Sequence, residues 1–411
     1  MSIEYDLLLL FSLVPVLLMA GHTMERTSPS AWWGVGIASM LIAGAGFLAF
    51  GWESEISSFV SLPAAAILLS CFCALLWQKD ASRVSDDVVP IILLAVLGLG
   101  GVIGVVPINR LFMIGLLGYG GFYLSRHMAA SLQKTLALVH LGLAVVFGIV
   151  TLFLDETGLM VAGLFLLVTF LPLVPFHLPF LGVVRSSRES LAGVWVVVWL
   201  ATGLSQLKNL EELFHPEGMW IIPAFALVSA LYASLKATGH LLPREGIAYA
   251  AITLLALLWG LLATFSHVAV WGVPYGIAVA LLMSAMLQSF AFLHERYGTH
   301  NLVTLQGLGS GLPRFRGAFT FMISLVMLLP ILPVVAGFLT IPLNGSETSL
   351  FPVLLLLCIV WFSVSWVFTT MLHQTAFGKA RSDVPFRDLS LYEMWTLILL
   401  MGTAGFFGIP A

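Results

Sequence analysis

Charge is scarce in this chain. Of its 411 residues only 9% are Asp, Glu, Lys or Arg and 60% are hydrophobic, where a soluble domain carries roughly a quarter charged. That shortage excludes a water-soluble globular protein, and no soluble segment is large enough to carry an active site of its own. A basic patch for nucleic acid is also missing. There are three cysteines, Cys71, Cys73 and Cys358; all lie in apolar runs without metal spacing to histidine, which assigns them to packing. The stretch Gly98-Leu99-Gly100-Gly101, with Gly104, lies inside an apolar run and follows no strand. It therefore fits close helix contact better than a dinucleotide fingerprint. No phosphate loop, haem ligand pair or nucleophile triad stands out, so no catalytic residue, cofactor or metal is expected. Low-complexity segments are absent, and the ten-residue alternation of a lipid-exposed barrel is absent too.

What the chain has is apolar runs of about 18 residues or more, each long enough to cross roughly 30 Å of hydrocarbon as a helix. They predict an all-α polytopic membrane protein of about fourteen transmembrane helices, with spans near 4–20, 31–50, 59–77, 88–106, 107–125, 132–154, 159–182, 189–207, 218–236, 244–265, 269–294, 312–342, 349–372 and 387–410. Loops are short, and polar content gathers at 78–87, 208–217, 295–311 and 373–388, so residues 1–411 are expected to form one membrane domain. Acidic Glu4 and Asp6, not a basic n-region, precede the first run, which argues against a cleaved signal.

Lys and Arg orient the spans, because short cytoplasmic loops collect positive charge. With the N-terminus outside, the inner loops hold fifteen of the seventeen, from Arg26 to Arg387, and only Arg110 and Lys208 fall outside. The acids divide ten and ten, so the bias belongs to Lys and Arg alone. Both termini are then expected on the periplasmic side of a bacterial inner membrane.

Two spans are interrupted by proline: Leu171-Pro172-Leu173-Val174-Pro175-Phe176-His177-Leu178-Pro179 in the seventh, and Pro330-Ile331-Leu332-Pro333 before Gly337-Phe338 in the twelfth. Each proline removes a donor and clashes with the preceding turn, so helix breaks are expected at Pro172, Pro175, Pro330 and Pro333. Unwound backbone at that depth must be buried in protein or line a cavity. Paired breaks are a mark of transporters; kinked packing helices without transport are the other possibility.

These residues, in their order and spacing, resemble the antiporter-like membrane subunits of respiratory NADH–quinone oxidoreductase, shared with multisubunit cation/proton antiporters and membrane-bound hydrogenases. The resemblance rests on Pro172 to His177, on Ala248-Tyr249 after Arg244, and on Glu295-Arg296-Tyr297-Gly298-Thr299 followed by Gly307-Leu308. It rests further on Pro330, Pro333 and Gly337-Phe338, on Leu391-Tyr392-Glu393 and on Gly408-Ile409-Pro410. It implies two inverted five-helix repeats, roughly 88–207 and 218–372, with helices 7 and 12 broken. It also implies ionisable groups at mid-membrane, and here the chain departs from it. The position expected to hold Glu in the fifth helix falls on Gly118, and the Lys of the broken helix on Phe170. The Lys of the eighth falls near Ala201, in a run that keeps Gly203, the His or Lys of the tenth on Leu254, and the charged residue of the twelfth on Ile341.

Polar residues that remain near a possible ion path are His177, His140 and Lys134. His177 beside the break could titrate or orient water, or could satisfy freed backbone groups. His140 could extend a polar path toward Lys134 or simply pack, while Lys134 at a helix entrance suits snorkelling. Arg110 reads as a periplasmic anchor or a partner contact, and Glu393 as an acid suited to a helix start. The resemblance therefore implies an antiporter-like subunit packed against sister membrane subunits within the lipid bilayer, mostly structural because the charged relay is missing. The alternative it implies is a proton- or sodium-conducting subunit driving a partner, for example in inorganic carbon uptake with a zinc carbonic-anhydrase-like protein. The chain ends just after the fourteenth span, so the long lateral helix of the most distal members is not expected, nor is a place at the far end of a respiratory arm.

Overall fold

The computed structural model describes residues 29–51, 58–77, 84–105, 107–153, 156–210, 221–240, 242–262, 264–265, 267–298, 302–340, 351–377 and 387–408. The expected first span, Ile341 and the two termini lie outside the described residues. Every other expected span coincides with a helix or a helix pair. They run α1 Pro29–Gly51, α2 Ser58–Trp77, α3 Val84–Ile103, α4 Ile108–His127, α5 Leu132–Val150, α6 Glu156–Phe170, α7 Leu178–Ser186 and α8 Glu189–Leu210. Then come α9 Ile221–Gly239, α10 Pro243–Leu262, α11 Val268–Tyr297, α12 Pro313–Leu328, α13 Ile331–Thr340, α14 Phe351–Thr375 and α15 Leu391–Gly408. No strand occurs among the described residues. Eight of these helices are long and apolar enough to cross a membrane, nine if the bent pair α12–α13 counts as one span.

The seventh span is the pair α6 and α7, separated by 171–177, and the twelfth is α12 and α13, bent by 40° at Leu329-Pro330. Pro330 marks that second break. Pro333 sits instead in the first turn of α13, where the missing N–H would have had no helical partner anyway.

The described chain divides into two compact units, one of residues 1–171 and 178–210, the other of 172–177 and 211–411. In the first unit α8 is the central helix: 94% of Ser190–Lys208 is buried, and α2, α3 and α6 pack around it. Small residues allow the approach, as expected for the glycine-rich stretch: a Cβ on Gly98 would come within 2.8 Å of Val198, and one on Gly100 within 2.3 Å of the Phe112 ring. Cys71 and Cys73 are buried in α2, as packing residues should be; Cys358 departs from that expectation on the exposed face of α14.

In the second unit the apolar middle stretches of α10 and α11 are fully buried, with α9 and α14 against α10 and α15 against α11. A helix apolar on every side suits such a place, since its neighbours supply all its contacts. By contrast only about a third of the α9 and α14 windows is covered, 33% in each, which leaves their outer faces to lipid. Hydroxyls inside these helices turn back on carbonyls one turn earlier, as Thr253 does to Tyr249, Ser289 to Ala285 and Thr375 to Met371. Each polar group is thereby satisfied inside its own helix. The loop after α11 needs glycine twice, for Gly298 at the helix end (φ 67°) and Gly307 (φ 75°) both adopt the left-handed conformation.

Candidate functional site

The break of the seventh span is where unwound backbone must find partners. Its residues Pro172–His177 group with the second unit, while Phe170 and Leu171 belong to the first. Buried Ser229 of α9 serves the freed backbone: it accepts from the Val174 N–H at 3.1 Å and donates to the Val174 carbonyl at 3.5 Å. His177 does not perform that service. It is 4% exposed, and neither ring nitrogen makes a hydrogen bond with a described residue, although the Pro175 carbonyl lies beside the ring. Its walls are aromatic: Tyr232 edge-on at 5.6 Å and Tyr249 at 6.0 Å between ring centroids.

Lys134 and His140 lie in the first unit, where each has a local partner. Lys134 Nζ donates to the carbonyls of Ser125 (2.8 Å) and Met128 (2.7 Å), at the C-terminal end of α4. Arg110, at the start of α4, donates in turn to the Thr151 carbonyl just past α5. The antiparallel neighbours α4 and α5 thus each supply a cation to the last carbonyls of the other, groups that a helix leaves without partners. His140 Nε2 bonds Thr169 Oγ1 at 2.9 Å, and its ring lies against Phe165. Replacing Lys134 by methionine is expected to lower stability by about 1 kcal/mol. The His140 ring signal in nuclear magnetic resonance should stay unchanged; a path through both residues would shift it.

The positions where the resemblance implies charge are apolar. Phe170 is fully buried and leans on Trp199 at 5.3 Å, with its Cβ over Gly203, where an added Cβ would approach to 2.8 Å. Trp199 Nε1 is fixed by the Thr169 carbonyl at 2.8 Å. Trp195 follows, stacked on Tyr119 at 5.4 Å. Ala201 and Leu254 are fully buried, and the Leu254 carbonyl accepts from the Tyr275 hydroxyl at 2.9 Å. Gly118 differs from expectation: it is exposed with nothing within 4 Å. Gly120, two places on and equally uncharged, faces Trp199 and Trp195 beside Tyr119. Phe170, Trp199 and Trp195 thus form an aromatic plug inside the first unit.

Sequence reasoning missed three groups. His240 Nδ1 lies 3.0 Å from Glu245 Oε2, joining the end of α9 to the first turn of α10, and the His240 ring stacks on Tyr249 at 5.1 Å and 12°. Five residues bracketing a short loop were the available signal. Gln288 is fully buried in α11 with neither amide atom bonded to a described residue. A lone amide in a 30-residue apolar helix was its signal.

No family model matches the sequence and no curated protein is similar to it. Solved structures are similar. A chain of respiratory complex I from Thermus thermophilus superposes with a TM-score of 0.73 at 15% identity, covering 98% of this chain and 99% of that one. A chain of the membrane-bound sulfane sulfur reductase, an archaeal respiratory membrane complex, gives 0.77 at 16% identity, covering 98% and 76%. A chain of the Mrp complex from a Dietzia species gives 0.72 at 15%, covering 93% and 82%. This chain therefore shares its fold with membrane chains of these respiratory and Mrp complexes.

Proposed function

We propose that this chain is an antiporter-like subunit of a multi-subunit, ion-coupled membrane complex of the NADH–quinone oxidoreductase kind, and that its own part is structural. It packs beside sister membrane subunits in a bacterial inner membrane, both termini periplasmic, its two five-helix repeats inverted with respect to each other. The observation that carries the structural role is the plug of Phe170, Trp195 and Trp199, which occupies the interior of the first unit in place of ionisable groups. Mid-membrane charge is costly and is retained for pathways. A unit that has exchanged it for aromatic packing has given up transfer and kept shape.

One observation favours a second reading. His177 remains buried at the break without a hydrogen-bond partner among the described residues, which suits a subunit that still conducts protons and drives a partner, such as the zinc protein of a carbon-uptake pair. Reconstitution into vesicles that carry an internal pH dye separates the two. The structural role predicts proton flux equal to protein-free vesicles, unchanged in His177→Ala, together with loss of complex assembly when the chain is deleted. Flux above that background that disappears in His177→Ala overturns it.

A further inference from the structure

The break of the twelfth span frees backbone groups as the break of the seventh does, and it lies beside a face left to lipid. Pro330 offers no N–H to the Val326 carbonyl, and the Leu332 N–H turns to the Leu329 carbonyl at 3.3 Å rather than to Leu328 one turn back. Between those two residues stands the Met327 carbonyl. Trp361 of α14 donates to it from Nε1 at 3.0 Å, and Thr369, farther along the same helix, brings its hydroxyl to 4.0 Å from Met327 Sδ. Leu328 is 56% exposed and Trp361 46%, so hydrocarbon and not water lies outside this bond.

We propose that Trp361 is the positioning residue of this break: its indole latches the bend between α12 and α13 from the outer side of the second unit. An indole suits the place because it donates one hydrogen bond and needs none in return. Phenylalanine would fill much of the same space and leave the carbonyl bare, which is costly where no water can replace the donor. The break of the seventh span is held in the same manner, since Ser229 of α9 serves Val174. Both donors stand on half-covered outer helices, α9 and α14, so each break is fixed from the rim of the unit and not from its buried middle. A freed carbonyl with a side-chain donor of its own has no need of a continuous helix, and the bend of 40° becomes a fixed joint instead of a hinge. The latch stands whether the chain is structural or conducts, and it goes beyond either reading.

The test uses the full chain in lipid nanodiscs, with nitroxide labels on Leu339→Cys of α13 and Ile221→Cys at the start of α9, both exposed, and with exposed Cys358 changed to alanine. The arm from Pro330 to Leu339 is about 14 Å long, so a change of roughly 20° in the bend moves its label by about 5 Å. With Trp361 in place the distance between labels, read by pulsed electron spin resonance, is expected to form a single narrow distribution. Trp361→Phe should shift or broaden it by about 5 Å. Trp366→Phe, which changes another exposed indole of α14, should leave it as it was. The Trp361 indole proton, assigned by its loss in Trp361→Phe, should resonate downfield as a hydrogen-bonded donor does. An unchanged distribution in Trp361→Phe overturns the proposal, as does an equal change in Trp366→Phe or an indole proton at the position of a free donor. Should Trp361→Phe not fold, 3-benzothienylalanine at position 361, which keeps the shape of the ring and puts sulfur in place of the N–H, is read by the same criterion. Neither readout involves partner subunits, so failure of the subunit role and failure of the latch are told apart.

Discussion

Replacing Phe170 by alanine is expected to destabilise the first unit by about 3–5 kcal/mol, the usual range for emptying a buried aromatic site. The same change should raise proton leak across vesicles. Phe170 has no exposed surface, its ring rests on Trp199, and its backbone stands where Gly203 permits the closest approach of α8. Neither neighbour can fill the space: Trp199 is tethered through Nε1 to the Thr169 carbonyl, and Gly203 has no side chain to offer. The cavity would open beside Thr169 and His140, the one hydrogen-bonded polar pair at that level of α5 and α6 among the described residues. Water entering there would have partners. Thermal unfolding in nanodiscs gives the first number and the internal pH dye the second. Leak equal to wild type together with the full loss of stability would mean that the ring packs the unit but seals nothing. Phe170→Leu, which keeps most of the volume, should cost under about 1.5 kcal/mol and leave vesicles tight.

How far the sequence foretold this molecule depends on which physical signal is asked for. Helix positions were legible because twenty apolar residues in succession have one meaning in a membrane: the backbone must close on itself. The breaks were legible because proline cannot donate. Their internal layout was not, since Pro333 looks in sequence like a second break and sits in a first turn. Lys134 and Arg110 looked like a path residue and an anchor. Their roles as reciprocal caps needed the antiparallel pairing of α4 with α5, which spacing along one chain does not contain. The register at Gly118 failed for a related reason: counting from Asn109 gives a position along α4 but no angle around it, and Gly120 is the residue turned inward. His240 and Glu245 were passed over because a His and a Glu near a loop are ordinary in water. Burial against Tyr249 makes them unusual.

Two pieces of sequence that resemble the same family in separate places are joined by one ion pair, and cutting it should produce a large change. Arg296, near the end of α11, reaches Glu393 Oε2 at 3.0 Å, and the two side chains are only 22% and 8% exposed. The same carboxylate oxygen accepts from the Ser390 N–H at 2.7 Å, and the Ser390 hydroxyl accepts from the Glu393 N–H at 3.4 Å. That reciprocal pair is the capping box of α15. Glu393→Ala therefore removes a cap and leaves Arg296 held over the Phe292 ring, at 4.1 Å, with its carboxylate gone. A loss of about 3 kcal/mol is expected, at the lower end for a broken buried pair because the guanidinium can still reach water. Arg296→Ala should cost less, about 1–2 kcal/mol, since the capping box survives it. The double variant should resemble Glu393→Ala, giving a coupling energy of about 1–2 kcal/mol in a thermal-unfolding cycle. Additive losses would show that the pair contributes nothing beyond its separate caps and ring contact. In that case the packing of α11 on α15 would rest on apolar contact alone, and the acid of Leu391-Tyr392-Glu393 would be there for the helix start.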